Sequence, residues 1–168
     1  MVYCKNRKIL FVHIPKNGGS TIEIEMNLRN VKCGFGIKSG KAIHHYTMMQ
    51  YNNFLPETKD YFKFTIVRHP YSRVISDFHW IKRGRRRLNE IKSIDIYLEL
   101  AVKIIENNLY HKNIYYDHFM PQYEFVYDLS GNLLVDQIFK FEQFSKISEH
   151  PKLSFINTDF RHQKGPPK

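Results

Sequence analysis

The apolar positions of the chain form short continuous runs that alternate with stretches of helical spacing. Residues 8–14 and 61–67 are rich in apolar, aromatic and β-branched side chains, and a proline closely follows each run, which predicts two buried strands. A last core strand is predicted at 138–141. Because strands alternate with helices, the sequence predicts an α/β fold in three layers, with a central, mainly parallel β-sheet flanked by helices.

Apolar side chains three and four residues apart predict the two longest helices. The first runs through residues 70–81, with Pro70 in its first turn, and the second begins at a cap, either Ser93 or Asp95. Two shorter helices are predicted at 47–54 and 142–149.

Residues 20–30 fit two patterns. Apolar residues at 22, 24 and 26 alternate with glutamates as in a strand, but the segment also follows a glycine turn. We favour a helix, because Ser20 and Thr21 can cap one.

Nothing in the sequence divides the chain, and its 168 residues are expected to form one domain, 1–168. A hairpin-like turn with glycine at its tip is predicted at 128–132. Two loops are predicted, a glycine-rich one at 31–42 with a short strand near 31–35, and a polar one at 107–120. The basic, proline-rich tail at 161–168 is expected to be loose.

The turn after the first strand combines a lysine, two glycines and two hydroxyl residues. Its sequence is Pro15-Lys16-Asn17-Gly18-Gly19-Ser20-Thr21. Glycines allow a close backbone approach, the following helix start offers N–H groups, and the lysine adds a positive charge. The turn therefore predicts a binding site for phosphate or a related oxyanion.

A second cationic group follows the strand at 61–67. Arg68 lies at the strand end and Ser76 lies two turns into the next helix, so both can face one pocket. Ligands of parallel sheets bind beyond the carboxyl ends of the strands. We therefore expect two anion sites, suited to one ligand that carries two phosphate-like groups.

A P-loop nucleotidase is the obvious alternative, but the pattern does not fit it. The Walker motif places its lysine after the last glycine, whereas Lys16 precedes Gly18 and Gly19. An aspartate on a later apolar strand, which would bind Mg²⁺, is also not evident.

The two strand ends instead resemble the nucleotide-binding signatures of sulfotransferases, which use 3′-phosphoadenosine 5′-phosphosulfate (PAPS). The second signature is Phe64-Thr65-Ile66-Val67-Arg68-His69-Pro70-Tyr71-Ser72-Arg73-Val74-Ile75-Ser76. A third segment is similar to carbohydrate O-sulfotransferases of the heparan sulfate 2-O- and chondroitin type, and carries Pro121-Gln122, Gly131-Asn132, Val135-Asp136 and Phe141-Glu142. The resemblance covers residues 8–160 and implies a P-loop-like fold.

The resemblance implies transfer of a sulfuryl group from PAPS to a hydroxyl of a carbohydrate, with 3′,5′-adenosine bisphosphate (PAP) as product and without a metal. The implied 5′-phosphosulfate site comprises Lys16, Asn17, Gly18, Gly19, Ser20 and Thr21. Arg68 and Ser76 would bind the 3′-phosphate. Lys16 would also neutralise the charge that grows on the bridging oxygen as the group leaves.

A histidine between the two signatures acts as the base in this family. The chain offers His45 as first choice and His44 as second, and a histidine near its ordinary pKa suits the task. We interpret His13 as a packing residue at the strand end.

Two positions depart from the family pattern, which usually has Thr at Asn17 and Asn at His69. Relatives also continue beyond the segment that matches residues 153–159. A catalytically degenerate nucleotide-binding module of the same fold therefore remains an alternative.

The charge of the chain indicates an anionic partner. Lys and Arg number 26 against 16 acidic residues, a formal net charge of +10. This fits a nucleotide and an acidic or neutral glycan, and a basic nucleic-acid-binding protein is the remaining alternative. Against nucleic acid, part of the charge lies at the two strand ends and no nucleic-acid motif is present.

The cysteines, the N-terminus and the length of the apolar runs indicate where in the cell the protein is located. Cys4 and Cys33 do not form a disulfide framework, and we interpret them as free thiols. The chain begins without a signal peptide and has no apolar run long enough for a membrane span. We expect a soluble, cytoplasmic protein, of microbial or viral origin because relatives are commonly Golgi membrane proteins.

Overall fold

One four-stranded sheet organises the protein. The computed structural model describes residues 3–28, 43–83, 91–110 and 116–158. The strands are β1 (Tyr3–Cys4), β2 (Ile9–Val12), β3 (Phe62–Val67) and β4 (Gln137–Lys140), in that order across the sheet. β1 is antiparallel to β2, whereas the β2–β3 and β3–β4 pairs are parallel. The predicted α/β fold with a mainly parallel sheet is confirmed, and the predicted strands correspond to β2, β3 and β4.

Both faces of the sheet are covered, which explains why every residue of β2 is buried. Leu10 and Val12 point into one core, and Ile9 and Phe11 into the other. These two cores make three layers with the sheet between them.

In the described ranges, four α-helices and several 3₁₀ helices form the outer layers. The α-helices are α1 (Gly19–Glu25), α2 (Met48–Phe54), α3 (Pro70–Arg83) and α4 (Ile94–Glu106). The 3₁₀ helices are Ile43–His45, Pro56–Thr58, Tyr116–His118, Gln122–Phe125, Phe141–Ile147 and Pro151–Leu153. Helices α2, α3 and α4 pack on the Leu10 side of the sheet, and α1 packs on the Ile9 side with the C-terminal 3₁₀ turns. None of the helices in the described ranges is long and apolar enough to cross a membrane.

The helix caps follow the sequence in two cases and depart from it in one. Thr47 caps α2 in a reciprocal capping box with Gln50, and Ser93 caps α4. The expected capping of α1 by Ser20 or Thr21 is wrong. Gly18 is the N-cap, in the left-handed region at φ 83°, with no side-chain hydrogen bond.

Three further expectations need adjustment. The helix expected at 142–149 is a 3₁₀ segment, Phe141–Ile147, interrupted at Gln143. The turn near 128–132 has Gly131 at φ 81°, but only one β-bridge, Tyr127 to Leu133, flanks it. The polar loop expected at 107–120 ends in a buried 3₁₀ helix, Tyr116–His118. Several expectations lie outside the described residues: those for 31–42, 161–168 and Cys33.

Candidate functional site

The turn between β2 and α1 reverses the chain through two left-handed residues. Lys16 adopts φ 68° and Gly18 adopts φ 83°. A lysine in this region is strained, and such strain persists only where the surroundings hold it. The carbonyl of Pro15, one residue before, accepts a hydrogen bond of 3.1 Å from Arg73 Nε on α3. The hydrogen bond from Arg73 therefore holds the turn to α3, and the glycines allow its backbone conformation.

Neighbouring side chains leave little or no room for a Cβ at either glycine of the turn. A Cβ on Gly18 would lie 3.1 Å from the rings of Phe141 and Phe144, in addition to its positive φ. A Cβ on Gly19 would overlap the imidazole of His13. The glycines thus allow aromatic rings to pack directly against the backbone.

Asn17 does not line the cleft but lies beneath the turn, where it is 1% exposed. Its Nδ2 donates to the carbonyl of Ile66 at 2.7 Å and to Gln122 Oε1 at 2.7 Å. Gln122 Oε1 also accepts from the backbone N–H of Arg68 at 2.9 Å, and its Nε2 donates to the Arg68 carbonyl at 2.8 Å. One glutamine therefore ties the ends of β2 and β3 together.

Arg68 lies between the two strand ends. One guanidinium N–H donates to the Lys16 carbonyl at 3.1 Å, and the guanidinium lies 4.2 Å from the centroid of Phe141. Burial lowers the pKa of Arg68, against the opposing charge of Glu142. Arg68 is thus held in place by a backbone carbonyl and an aromatic ring, neither of which carries a countercharge.

A cleft of about 340 Å³ opens above these strand ends. Most of the residues singled out from the sequence line it together: Lys16, Gly18, Gly19, Ser20, Thr21, His44, His45, Arg68 and Ser76. The predicted site is therefore one continuous surface in space.

Four histidines meet in this cleft, and three of them contact a carboxylate through Nδ1. His13 contacts Glu23 at 2.7 Å, His45 contacts Asp117 at 2.7 Å and His118 contacts Asp77 at 2.6 Å. A carboxylate only accepts, so Nδ1 carries a proton in each pair, and Nε2 is the ring nitrogen that the acid does not use. Each pair is thus a histidine oriented by an acid.

The ionisation of the cleft groups is set mainly by burial. Burial lowers the pKa of His44 from 6.5 to about 4, with a further lowering from His13. Burial also lowers the pKa of His45 well below its ordinary value, and neighbouring cationic groups, His13 first, add to this. Burial lowers the pKa of Lys16, opposed by the negative charge of Asp77. His44 and His45 are therefore neutral at pH 7, and the expectation of a base with a pKa near the ordinary histidine value is wrong for both.

Six cleft residues were not predicted as site residues. They are His13, Pro15, Glu23, Trp80, His118 and Phe141. His118 lies three residues before Pro121, in a stretch that looked like a polar loop, and its proximity to the third family segment was the available signal. His13, interpreted as a packing residue, lies in the cleft wall and packs against Gly19.

One group of side chains in the described part of the chain has the composition of a metal site. His45, Asp117 and His118 place potential ligand atoms within 4.8 Å of one another, and all three are buried. Both histidines use Nδ1 for hydrogen bonds to carboxylates, so each could offer a metal only Nε2.

Comparison with known proteins assigns the chain to a family. The family model described as "Sulfotransferase family" matches residues 1–162, almost the whole chain. A search of curated proteins and a search of solved structures returned no match. The matched range includes both strand ends, the cleft histidines and the Gln122 segment. The chain therefore belongs to the sulfotransferase family, and its activity is in general the transfer of a sulfuryl group.

Proposed function

We propose that the protein is a PAPS-dependent O-sulfotransferase whose acceptor is a hydroxyl of a carbohydrate. The observation that carries the proposal is the shared cleft, in which Lys16, Arg68 and Ser76 meet the buried pair His45–Asp117. Two cationic groups suit a donor with phosphate-like groups at two positions, and the carboxylate-held histidine suits a hydroxyl acceptor. The carbohydrate class comes from the resemblance of the Gln122 segment.

The residues present fit the donor. Gly18 and Gly19 line the cleft together with Lys16, and their lack of a Cβ lets the rings of Phe141, Phe144 and His13 pack against this turn. Arg68 Nε is a buried donor without a hydrogen-bond partner among the described residues. We assign the 5′-phosphosulfate to the turn from Lys16 to Thr21, and the 3′-phosphate to Arg68 and Ser76. When bound, PAPS supplies the activated sulfuryl group.

His45 is the preferred base. Asp117 fixes its tautomer, which leaves Nε2 to accept the proton of the attacking hydroxyl. A base of this kind typically contributes ~10²–10⁴-fold in rate. His44 also lines the cleft, with its ring centroid 4.0 Å from that of His45, and is the second choice.

Lys16 acts on the leaving group. Its ammonium can neutralise the charge that develops on the bridging oxygen, or donate a proton to it. Burial lowers the pKa of Lys16, which makes it a better proton donor than an exposed lysine. The hydroxyl proton moves to His45 Nε2 while Lys16 stabilises the negative charge on the bridging oxygen of the leaving group.

Nucleotide binding tests the donor assignment. We expect PAP to stabilise the protein against heat more than ADP or AMP does, by ~2.7 kcal/mol at a concentration of 100 times its Kd. Arg68→Ala should remove the preference for the 3′-phosphate, whereas Arg7→Ala, an exposed arginine against Phe155, should keep it. Equal stabilisation by PAP and ADP would contradict PAPS dependence.

Turnover tests the rest of the proposal. Radiolabelled PAPS is offered with a panel of glycans, and labelled sulfate on the glycan is measured. His45→Ala should abolish transfer while PAP still stabilises the variant. Transfer to small phenols but to no glycan would contradict the carbohydrate assignment, and persistent transfer by His45→Ala would contradict the base.

A further inference from the structure

His118 is held by three residues from one face of α3. Arg73 donates a guanidinium N–H to its carbonyl at 2.8 Å, and Asp77 Oδ1 lies 2.6 Å from its Nδ1. The indole of Trp80 stacks on its ring, with the centroids 4.6 Å apart and the planes at 16°. Positions 73, 77 and 80 follow one another at helical spacing on a single face. The backbone, the ring edge and the ring plane of His118 are therefore all fixed.

The contact with Asp77 decides which ring nitrogen is available. Asp77 is 1% exposed and also accepts from the hydroxyl of Tyr97 at 2.9 Å. Because Asp77 takes Nδ1, Nε2 is the ring atom of His118 that can meet a substrate.

The position of His118 places that atom near the reacting groups. Its ring centroid lies 5.3 Å from that of His45, and both residues line the cleft. The indole that stacks on His118 is also contacted by Lys16, whose Nζ lies 5.0 Å from the ring centroid. His118 thus stands beside the proposed base and shares a neighbour with the proposed leaving-group lysine.

Packing alone does not account for this arrangement. If His118 served only as the hydrogen-bond partner of the buried Asp77, it would use Nδ1 for that bond, and Nε2 could face the protein interior. His118 instead lines the cleft, and like His45 it contacts a buried aspartate through Nδ1. Two oriented imidazoles side by side can hold an acceptor at two points, which fixes the direction of its attacking oxygen.

We infer that His118 is a second catalytic residue, whose Nε2 hydrogen-bonds to the acceptor beside the hydroxyl that His45 deprotonates. This inference rests on the proposed function. No additional covalent step is involved: the proton still passes from the hydroxyl to His45, and the sulfuryl group still passes from PAPS to the hydroxyl oxygen. His118 contributes orientation and acceptor affinity.

Two substitutions separate contact with the acceptor from a structural role. In His118→Asn the amide can keep the hydrogen bond to Asp77 but does not reach the position of Nε2. In His118→Gln the longer amide reaches that position and gives up the bond to Asp77. His150→Gln is the matched control, because His150 stacks on Phe62 at the opposite end of β3.

The measurements are heat stability with PAP, and initial rates of sulfate transfer from PAPS to the best glycan of the panel. We expect His118→Asn to keep PAP binding and to lose at least about tenfold in kcat/KM, mainly through a higher acceptor KM. His118→Gln should keep more activity than His118→Asn although it is less stable. His150→Gln should have wild-type kinetics.

Opposite results overturn the inference. If His118→Asn has wild-type kinetics, or if the activities of the two variants follow their stabilities, His118 is structural. Should neither variant fold, the ¹⁵N resonance of His118 Nε2 in the wild-type complex with PAP decides, because it must shift when the glycan is added. Release of no PAP from PAPS by the wild-type protein would instead refute the proposed function, and the inference with it.

Discussion

Replacing Gln122 by alanine should weaken both the fold and the nucleotide site, because one side chain joins the two strand ends. Gln122 makes three hydrogen bonds: it accepts from Asn17 and from the N–H of Arg68, and it donates to the Arg68 carbonyl. These contacts span 54 and 105 positions of the sequence. No local element can replace them when the amide is removed.

The magnitude follows from the number of bonds lost. Each bond contributes roughly 1 kcal/mol net, so Gln122→Ala should lower the free energy of unfolding by about 3 kcal/mol. For a protein of this size that corresponds to a fall in Tm of roughly 6–12 °C. The Kd for PAP should rise at least about fivefold, because Arg68 loses the backbone contacts that position it.

Urea denaturation and calorimetric titration with PAP measure the two effects. Gln143→Ala is the control, since Gln143 is exposed and lies on the neighbouring 3₁₀ segment. A loss of stability no larger than that of the control would refute the energetic argument. Normal PAP affinity in a destabilised Gln122→Ala would show that Arg68 does not depend on Gln122 for its position.

Three further outcomes follow from the same contacts. Gly19→Ala should lose PAP binding, because the added Cβ overlaps the ring of His13, and a normal titration with PAP would contradict this. The folded pKa of His44, about 4, lies below its unfolded value of 6.5, so the unfolded chain binds more protons in this window and stability falls as pH drops through it. Between pH 7 and pH 5 the wild type should lose about 2 kcal/mol more than His44→Gln in urea unfolding, and equal losses would argue against the low pKa. Asp117→Asn should reduce kcat by at least about tenfold with little change in PAP binding, because an amide can stabilise the wrong tautomer of His45, and unchanged kcat would refute the role of that pair.

The sequence predicted β2, β3, β4 and the main helices, but not the two-residue strand β1, because only the longer elements carry a clear local signal. The apolar runs that became β2 and β3, and the spacing that became α3, each lie within a few adjacent residues. The start of α1 was harder to predict. Ser20 and Thr21 have good capping chemistry, but the left-handed turn at Gly18 already determines where the helix begins.

The sequence predicted the site residues that belong to a motif. It did not predict those that reach the site only through contacts distant in sequence. Lys16, the two glycines and Arg68 stand at strand ends, and the parallel sheet brings those ends together. Asp117 and His118 lie about 70 and 40 residues from their partners His45 and Asp77, and no periodicity connects them. A Tyr- and His-rich stretch indicates a loop until its burial is known.

The short helix that contains Asp117 and His118 connects the proposed donor turn with the histidines of the proposed acceptor site. Asp117 orients His45, and His118 is fixed on α3, so this helix contributes half of each pair. Arg73 of α3 then donates to the carbonyl of His118 and, through another nitrogen, to that of Pro15 at the start of the turn. Because a buried guanidinium is costly to leave unsatisfied, the turn cannot move away from the histidines without losing that bond. One face of α3 therefore sets the distance between the turn, where we propose that the leaving group lies, and the histidines, one of which we propose as the base.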